Sequence, residues 1–85
     1  MIWTIEYHAL VQKEMRKINP ETRQRIRSFL HERLAALDDP RQTGTALQDS
    51  ERGNFWRYRV GDYRIICDIQ DHKLVVLVVE IGHRR

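Results

Sequence analysis

At 85 residues the chain has room for one small domain with a modest core, spanning residues 1–85. Charged residues make up 32% and apolar residues 41%, and the formal net charge of +3 favours acidic partners, nucleic acid first. A single cysteine excludes an internal disulfide. No apolar run approaches the roughly 18 to 20 residues of a membrane span or forms the core of a signal peptide, so the expectation is a cytoplasmic protein without membrane contact.

Met1 to Tyr7 alternates Ile2, Thr4, Glu6 with Trp3, Ile5, Tyr7 and is rich in β-branched and aromatic residues, which predicts a first strand. His8 to Ile18 changes period: Val11, Met15 and Ile18 recur at helical spacing, with Lys13, Glu14, Arg16 and Lys17 largely off that stripe. Asn19-Pro20 breaks this helix and can serve as cap and first residue of the next. The second helix is expected over Pro20 to Leu37, with Ile26, Leu30, Leu34 and Leu37 as its apolar stripe, widened by Phe29. From His8 to Leu37 there are seven Lys or Arg against three Glu, so the basic excess concentrates on the helical hairpin. A solvated face is the ordinary meaning of such an excess, and nucleic-acid contact the functional one.

Asp38-Asp39-Pro40 is expected to stop the helix. Arg41 to Asn54 is polar and reads as a long loop, with Leu47 as its pin to the core. The run FWRYRV-GD-YRIICDI then alternates with period two on both sides of Gly61-Asp62, the pattern of a hairpin with a type II′ turn. That register sets Val60 opposite Tyr63, Tyr58 opposite Ile65 and Trp56 opposite Cys67 on an apolar face. Asp71-His72 makes a further turn, and KLVVLVVEI reads as a central strand covered on both faces. The order β-α-α-β-β-β predicts an α+β domain: an antiparallel sheet of about four strands with an N-terminal two-helix hairpin packed on it.

The polar face of the hairpin carries the chemistry. Arg59 is set directly opposite Arg64, with Arg57 two residues along. Like charges across a ladder destabilise a sheet, so the arrangement asks for an acidic neighbour, wide splaying into solvent or an anionic ligand. Rigidly mounted guanidinium groups suit phosphate recognition and stabilise charge that grows on a phosphodiester during cleavage. Arg84 lies just past the last strand, and His83 and the helical arginines extend the patch. Arginine is a poor general base, and His83 is the nearby side chain with a suitable intrinsic pKa. His8, His31, His72 and His83 lack zinc-ligand spacing, no Gly-rich phosphate loop is present, and Cys67 reads as a buried structural thiol. Paired carboxylates are confined to turns and helix ends, where capping explains them.

The hairpin WRYRVGDYRIICDI, the apolar strand KLVVLVVEI and the terminal GHRR, preceded by two helices, resemble the RelE family of bacterial toxins in the wider RelE/ParE superfamily, over essentially the whole chain. The resemblance implies the toxin of a type II toxin–antitoxin pair: a ribosome-dependent, metal-independent endoribonuclease that needs no cofactor. Such a toxin cuts messenger RNA in the ribosomal A site by attack of a 2′-hydroxyl on the adjacent phosphate, which inhibits translation. It is neutralised by a RelB-like antitoxin, through which the complex reaches operator DNA. By position, Arg57, Arg64 and Arg84 match the family's catalytic basic residues, and Arg59, His83, Arg85, Arg23 and Arg27 are expected to contact RNA or the ribosome. Phe55 stands where well-studied members carry a further basic residue, and their C-terminal tyrosine has no counterpart up to Arg85. Two other readings stay open: a ParE-like toxin that binds DNA gyrase without chemistry, and a catalytically impaired form of the first. The arginine set favours the ribonuclease.

Overall fold

In a computed structural model that describes residues 2–47 and 55–83, strand β1 (Thr4–Tyr7) leads through His8 into helix α1 (Ala9–Arg16). His8 caps that helix, its Nδ1 accepting from the Leu10 amide at 3.1 Å. Asn19 caps the next: its Oδ1 accepts from the amides of Glu21 at 2.9 Å and Thr22 at 3.1 Å, with Pro20 in the first turn. This is the arrangement that Asn-Pro suggests, because proline has no amide to leave unsatisfied.

Helix α2 runs as an α-helix over Pro20–Ser28 and continues as a π-helical segment over Phe29–Leu34, closed by the Ala35 amide on the Leu30 carbonyl at 3.0 Å. The apolar stripe gives a reason for the change. In an α-helix each four-residue step over-rotates by about 40°, so a strict four-residue repeat drifts around the cylinder. A wider turn cancels the drift and keeps Ile26, Leu30 and Leu34 on one line, all fully buried. The helix therefore ends at Leu34 rather than Leu37, and Leu37 is only half-buried.

The sheet contains β2 (Thr45–Ala46), β3 (Phe55–Val60), β4 (Tyr63–Gln70) and β5 (Val75–His83) beside β1, in the order β1-β5-β4-β3-β2. It has five strands rather than about four, and it is mixed: β1 runs parallel to β5, pairing Thr4 with Val75 and Tyr7 with Val78. The other neighbours are antiparallel. Two-residue β2 is too short to show alternation, and the β1–β5 pairing joins the two ends of the chain, which no local periodicity reports.

The hairpin register is as the alternation predicts, with Val60 across from Tyr63, Tyr58 from Ile65, Trp56 from Cys67 and Arg59 from Arg64. Gly61 has φ +58° while Asp62 is not in the left-handed region, as a type II′ turn requires. Asp71–Lys73 forms a single 3₁₀ turn, after which Leu74 takes φ +54°.

Both helices pack on one face of the sheet. Val11, Met15, Ile26, Leu30 and Leu34 meet Tyr58, Ile65, Cys67, Ile69, Val76 and Val78 in a single buried cluster. Between α2 and β2, two hydrogen bonds hold the connecting segment to this core. Trp3 Nε1 donates to the Asp38 carbonyl at 3.0 Å, and the buried Tyr58 hydroxyl donates to the Pro40 carbonyl at 2.8 Å. Pro40, fully buried, is the pin in place of Leu47, which is half-buried and pairs through its amide with the Phe55 carbonyl at 3.0 Å. The rest of the expected loop, residues 48–54, lies outside the described residues.

Strand β5 is internal, but only its helix-facing side is fully covered. Leu77 and Val79 are half-buried and Glu80 is exposed. A bulge accounts for the run of apolar residues: Ile66 pairs with Glu80 while the next residue, Cys67, pairs with Val78, leaving Val79 as the extra residue. Among the described residues no helix is long and apolar enough to cross a membrane.

Candidate functional site

The sheet face away from the helices carries Arg57, Arg59 and Arg64. Alternation puts them there, because Tyr58, Val60 and Ile65 between them are drawn into the core. Arg57 is half-buried, and Arg59 and Arg64 are exposed. Three rows cross this face: Arg59, Arg64 and Gly82; Arg57, Ile66 and Glu80; Phe55, Asp68 and Leu77. The Arg64 guanidinium lies over β5 beside Gly82, where an added methyl group would stand in ordinary contact at 3.9 Å from Arg64 Nη2. None of the three arginines belongs to an ion pair among the described residues. The face thus presents guanidinium groups that no ion pair among the described residues holds.

A groove of about 430 Å³ runs beside Arg57 and Arg59, its other walls formed by Thr43, Gly44, Thr45 and Tyr58. Thr45 is paired with Arg57 in the ladder, so two threonine residues and two guanidinium groups line one channel. Hydroxyl and guanidinium donors together match the oxygens of a phosphodiester backbone. β2 has ended by Arg59, leaving that stretch of β3 as an open edge. Around it a second groove of about 510 Å³ is lined by Arg59, Val60, Arg25, Ser28, Phe29 and Arg33. Arg59 therefore joins the sheet face to the arginines of α2.

The other candidate residues fall elsewhere. His83 pairs with Tyr63 and its ring meets the Tyr63 ring edge-on at 5.1 Å, so it shares the side of Tyr63, opposite that of Arg64. Arg23 and Arg27 face α1 and Tyr7, not the sheet arginines. Arg84 and Arg85 lie outside the described residues.

Two single carboxylates join the arginines. Asp68 and Glu80 sit in strands, not in turns, and both are on the arginine face. Asp68 is buried and accepts from Gln70 Nε2 at 3.1 Å, while Glu80 is exposed. The bulge at Val79 turns Glu80 to this side, which strict alternation along KLVVLVVEI does not reveal. Arg25 and Arg33 were also missed as partners of Arg59, since only the packing of α2 on the hairpin brings them together; the Arg25 guanidinium comes within 3.7 Å of where a side chain on Gly61 would begin. Cys67 is buried as expected, and burial together with the Asp68 charge pushes its thiol far above the ordinary range. Among the described residues no three His, Cys, Asp or Glu side chains gather closely enough to hold a metal ion.

Comparison with known proteins fits this fold. The structure is similar to the toxin in the RelBE2 toxin–antitoxin complex of Mycobacterium tuberculosis, with a TM-score of 0.83 at 21% identity over 99% of this chain and 93% of that one. It is similar to Escherichia coli RelE bound to a RelB peptide, with a TM-score of 0.80 at 23% identity over 100% and 86%. RelE of the Pyrococcus horikoshii RelE–RelB complex gives a TM-score of 0.79 at 23% identity over 99% and 97%. At such identities the likeness concerns the fold. No protein of curated function matches the sequence. Residues 5–85 match the family described as the ParE toxin of type II toxin–antitoxin systems. The chain belongs to that family, and so is a type II toxin of the RelE/ParE superfamily.

Proposed function

We propose that this toxin cuts messenger RNA on the ribosome in the cytoplasm, with Arg57, Arg64 and Arg84 as its catalytic residues. The observation that carries the reading is the set of guanidinium groups on one rigid sheet face, without ion pairs among the described residues, beside a groove lined by Thr43 and Thr45. In the proposed reaction the ribose 2′-hydroxyl attacks the adjacent phosphorus and the bond to the 5′-oxygen breaks, leaving a 2′,3′-cyclic phosphate on one fragment and a 5′-oxygen that takes up a proton on the other. The non-bridging oxygens gain negative charge in the transition state, and arginines that need no reorganisation favour that state over the ground state. Arginine does not accept the proton, and Glu80, the exposed carboxylate of the same face, is our candidate acceptor. Arg59, Arg23, Arg27, His83 and Arg85 serve as RNA or ribosome contacts.

The partner is a RelB-like antitoxin whose acidic groups cover the arginine face and through which the complex reaches operator DNA. The solved relatives bound to RelB support this part of the reading. A second reading has its own support: the family match is to ParE, which favours gyrase binding without chemistry.

One experiment separates the two. Purified toxin is added to ribosomes programmed with a defined messenger, and RNA ends are mapped by primer extension, in parallel with a gyrase supercoiling assay. Cuts confined to the A-site codon and absent without ribosomes establish the ribonuclease. Intact messenger with blocked supercoiling establishes the gyrase reading instead.

A further inference from the structure

On the helical side of the molecule, Gln12 and Arg16 lie one turn apart on α1 and face Arg23 and Arg27, one turn apart on α2. Between them is a cavity of about 340 Å³ whose remaining walls are Tyr7 and Met15. No carboxylate among the described residues lines it. Among the described residues none of its three arginines forms an ion pair; Glu14, the nearby acid on α1, is 3.5 Å from Lys17. Arg23 Nη1 donates to the Met15 carbonyl at 3.3 Å, which fixes one guanidinium at the rim. Gln12 Nε2 donates to the Tyr7 carbonyl at 3.2 Å, and the Tyr7 hydroxyl is 2.8 Å from His31 Nε2. Arg23, Gln12 and the Tyr7 hydroxyl are thus held in place by the fold, while the floor of Met15 and the half-buried Tyr7 ring is apolar.

Three guanidinium forks around a concave site suit a phosphate dianion, whose oxygens accept paired N–H bonds. A phosphate alone leaves the apolar floor unused, whereas a nucleotide sets its sugar or base against Tyr7 and Met15. The cavity lies at the lower end of the range for small-molecule sites, about 300 to 1,000 Å³. We infer that the Tyr7–Gln12–Arg16–Arg23–Arg27 cavity binds the phosphate of a nucleotide, free or at the end of an RNA chain. The site is separate from the sheet arginines and gives Arg23 and Arg27, placed above only as RNA or ribosome contacts, a defined ligand whose test is independent of cleavage.

The test follows the arginine Nε–Hε and tyrosine ring resonances of the full chain by NMR. Inorganic phosphate, adenosine 5′-monophosphate, a short RNA with a 5′-phosphate, the same RNA with a 5′-hydroxyl and a glutamate-rich peptide are added in turn. The mononucleotide is expected to shift Arg23, Arg27 and Tyr7 and to bind more tightly than phosphate alone. A stronger response to the 5′-phosphorylated RNA than to the mononucleotide identifies an RNA end as the source, and the reverse identifies a free nucleotide. The double variant R23Q/R27Q should weaken binding at least about tenfold, as expected for two charged hydrogen-bonding groups, while K13Q, at an exposed lysine of α1 outside the cavity, leaves it unchanged. Should the double variant not fold, R16Q serves, with a loss of at least about threefold. The inference is overturned if phosphates leave these resonances unmoved, if only the acidic peptide moves them, or if the variants bind as well as the parent.

Discussion

Arg59 stands directly across from Arg64 in the β3–β4 ladder, and the described residues supply neither with an ion-pair partner. Facing like charges cost a sheet a few tenths to about 1 kcal/mol. A fold that keeps them gains nothing in stability, which is the pattern of a site maintained for a ligand. Arg64→Gln therefore separates the two properties. It should cut ribosome-dependent cleavage by about a hundredfold or more, as expected when a fixed transition-state charge is removed. Its urea midpoint should equal or exceed that of the parent. Primer extension and urea unfolding of the same preparation check both halves, and a fully active variant removes Arg64 from the site.

The hairpin was legible in the sequence because its cause is local. Period-two alternation across Gly61-Asp62 sets every pair from Phe55 to Asp68, and so the arginine face. The Asn19 cap and the Pro20 start of α2 were legible for the same reason. What escaped depends on distant parts of the chain or on a broken period. The parallel β1–β5 pairing is non-local, the π-helical turn at Phe29–Leu34 follows from packing, and the Val79 bulge moves Glu80 across the sheet. The site was accordingly read as the sheet arginines with His83, Arg23 and Arg27, without Glu80 or the arginines Arg25 and Arg33 that meet Arg59.

Gly44 couples the groove to the core. It adopts φ +83°, and a methyl group added there would lie 2.6 Å from Tyr58 Cε1 and 2.8 Å from the Arg57 carbonyl. The first contact is with a ring locked by its bond to Pro40 and the second with backbone, so neither yields easily. Gly44→Ala should cost about 2 kcal/mol or more, from left-handed strain of roughly 1 kcal/mol or more plus overpacking. Because Thr43 and Thr45 move with it, cleavage should fall further than the folded fraction does. Urea unfolding and single-turnover cleavage under conditions where the variant is folded measure the two effects.

Alkaline pH offers a test of the buried acids. Burial raises the Cys67 thiol first and the Asp68 charge adds to it; burial likewise raises the Tyr58 phenol. Each group has a folded pKa above its unfolded value, so its stabilising contribution is complete below the unfolded pKa and is lost as pH rises through and beyond it. The unfolded thiol ionises near about 8.5 and the unfolded phenol near about 10. Stability should therefore fall from about pH 8.5, approaching about 1.4 kcal/mol per pH unit for the thiol alone, and more steeply above about 10. Cys67→Ala should flatten the profile between about 8.5 and 10 and leave the steeper limb. Urea midpoints across that range check it, and an unchanged profile places the titrating group elsewhere.

The segment that carries the groove is also tied down by charge. Arg41 reaches Asp71 with Nη1 to Oδ1 at 3.1 Å and Nη2 to Oδ2 at 2.6 Å, and reaches Asp39 Oδ1 at 3.1 Å. Its side chain is 25% exposed while the two carboxylates are more open, so the network is largely solvated. Arg41 holds the Asp71 carboxyl below its usual range, chiefly through the hydrogen bonds. A depressed pKa gives stability that is present above the unfolded value of about 3.9 and lost as pH falls through the folded value. Screening limits an exposed pair to about 1 kcal/mol, although fork geometry favours the upper end. Arg41→Ala should lose about 1 kcal/mol at pH 7 and less at pH 3, and a double-mutant cycle with Asp71→Asn should show coupling that weakens in high salt. Since Arg41 follows Pro40 and leads into Thr43 and Thr45, its loss should also loosen the groove beside Arg57, read as faster amide exchange across Thr43 to Ala46. Unchanged exchange there, with the stability loss intact, would confine Arg41 to holding the Asp71 turn.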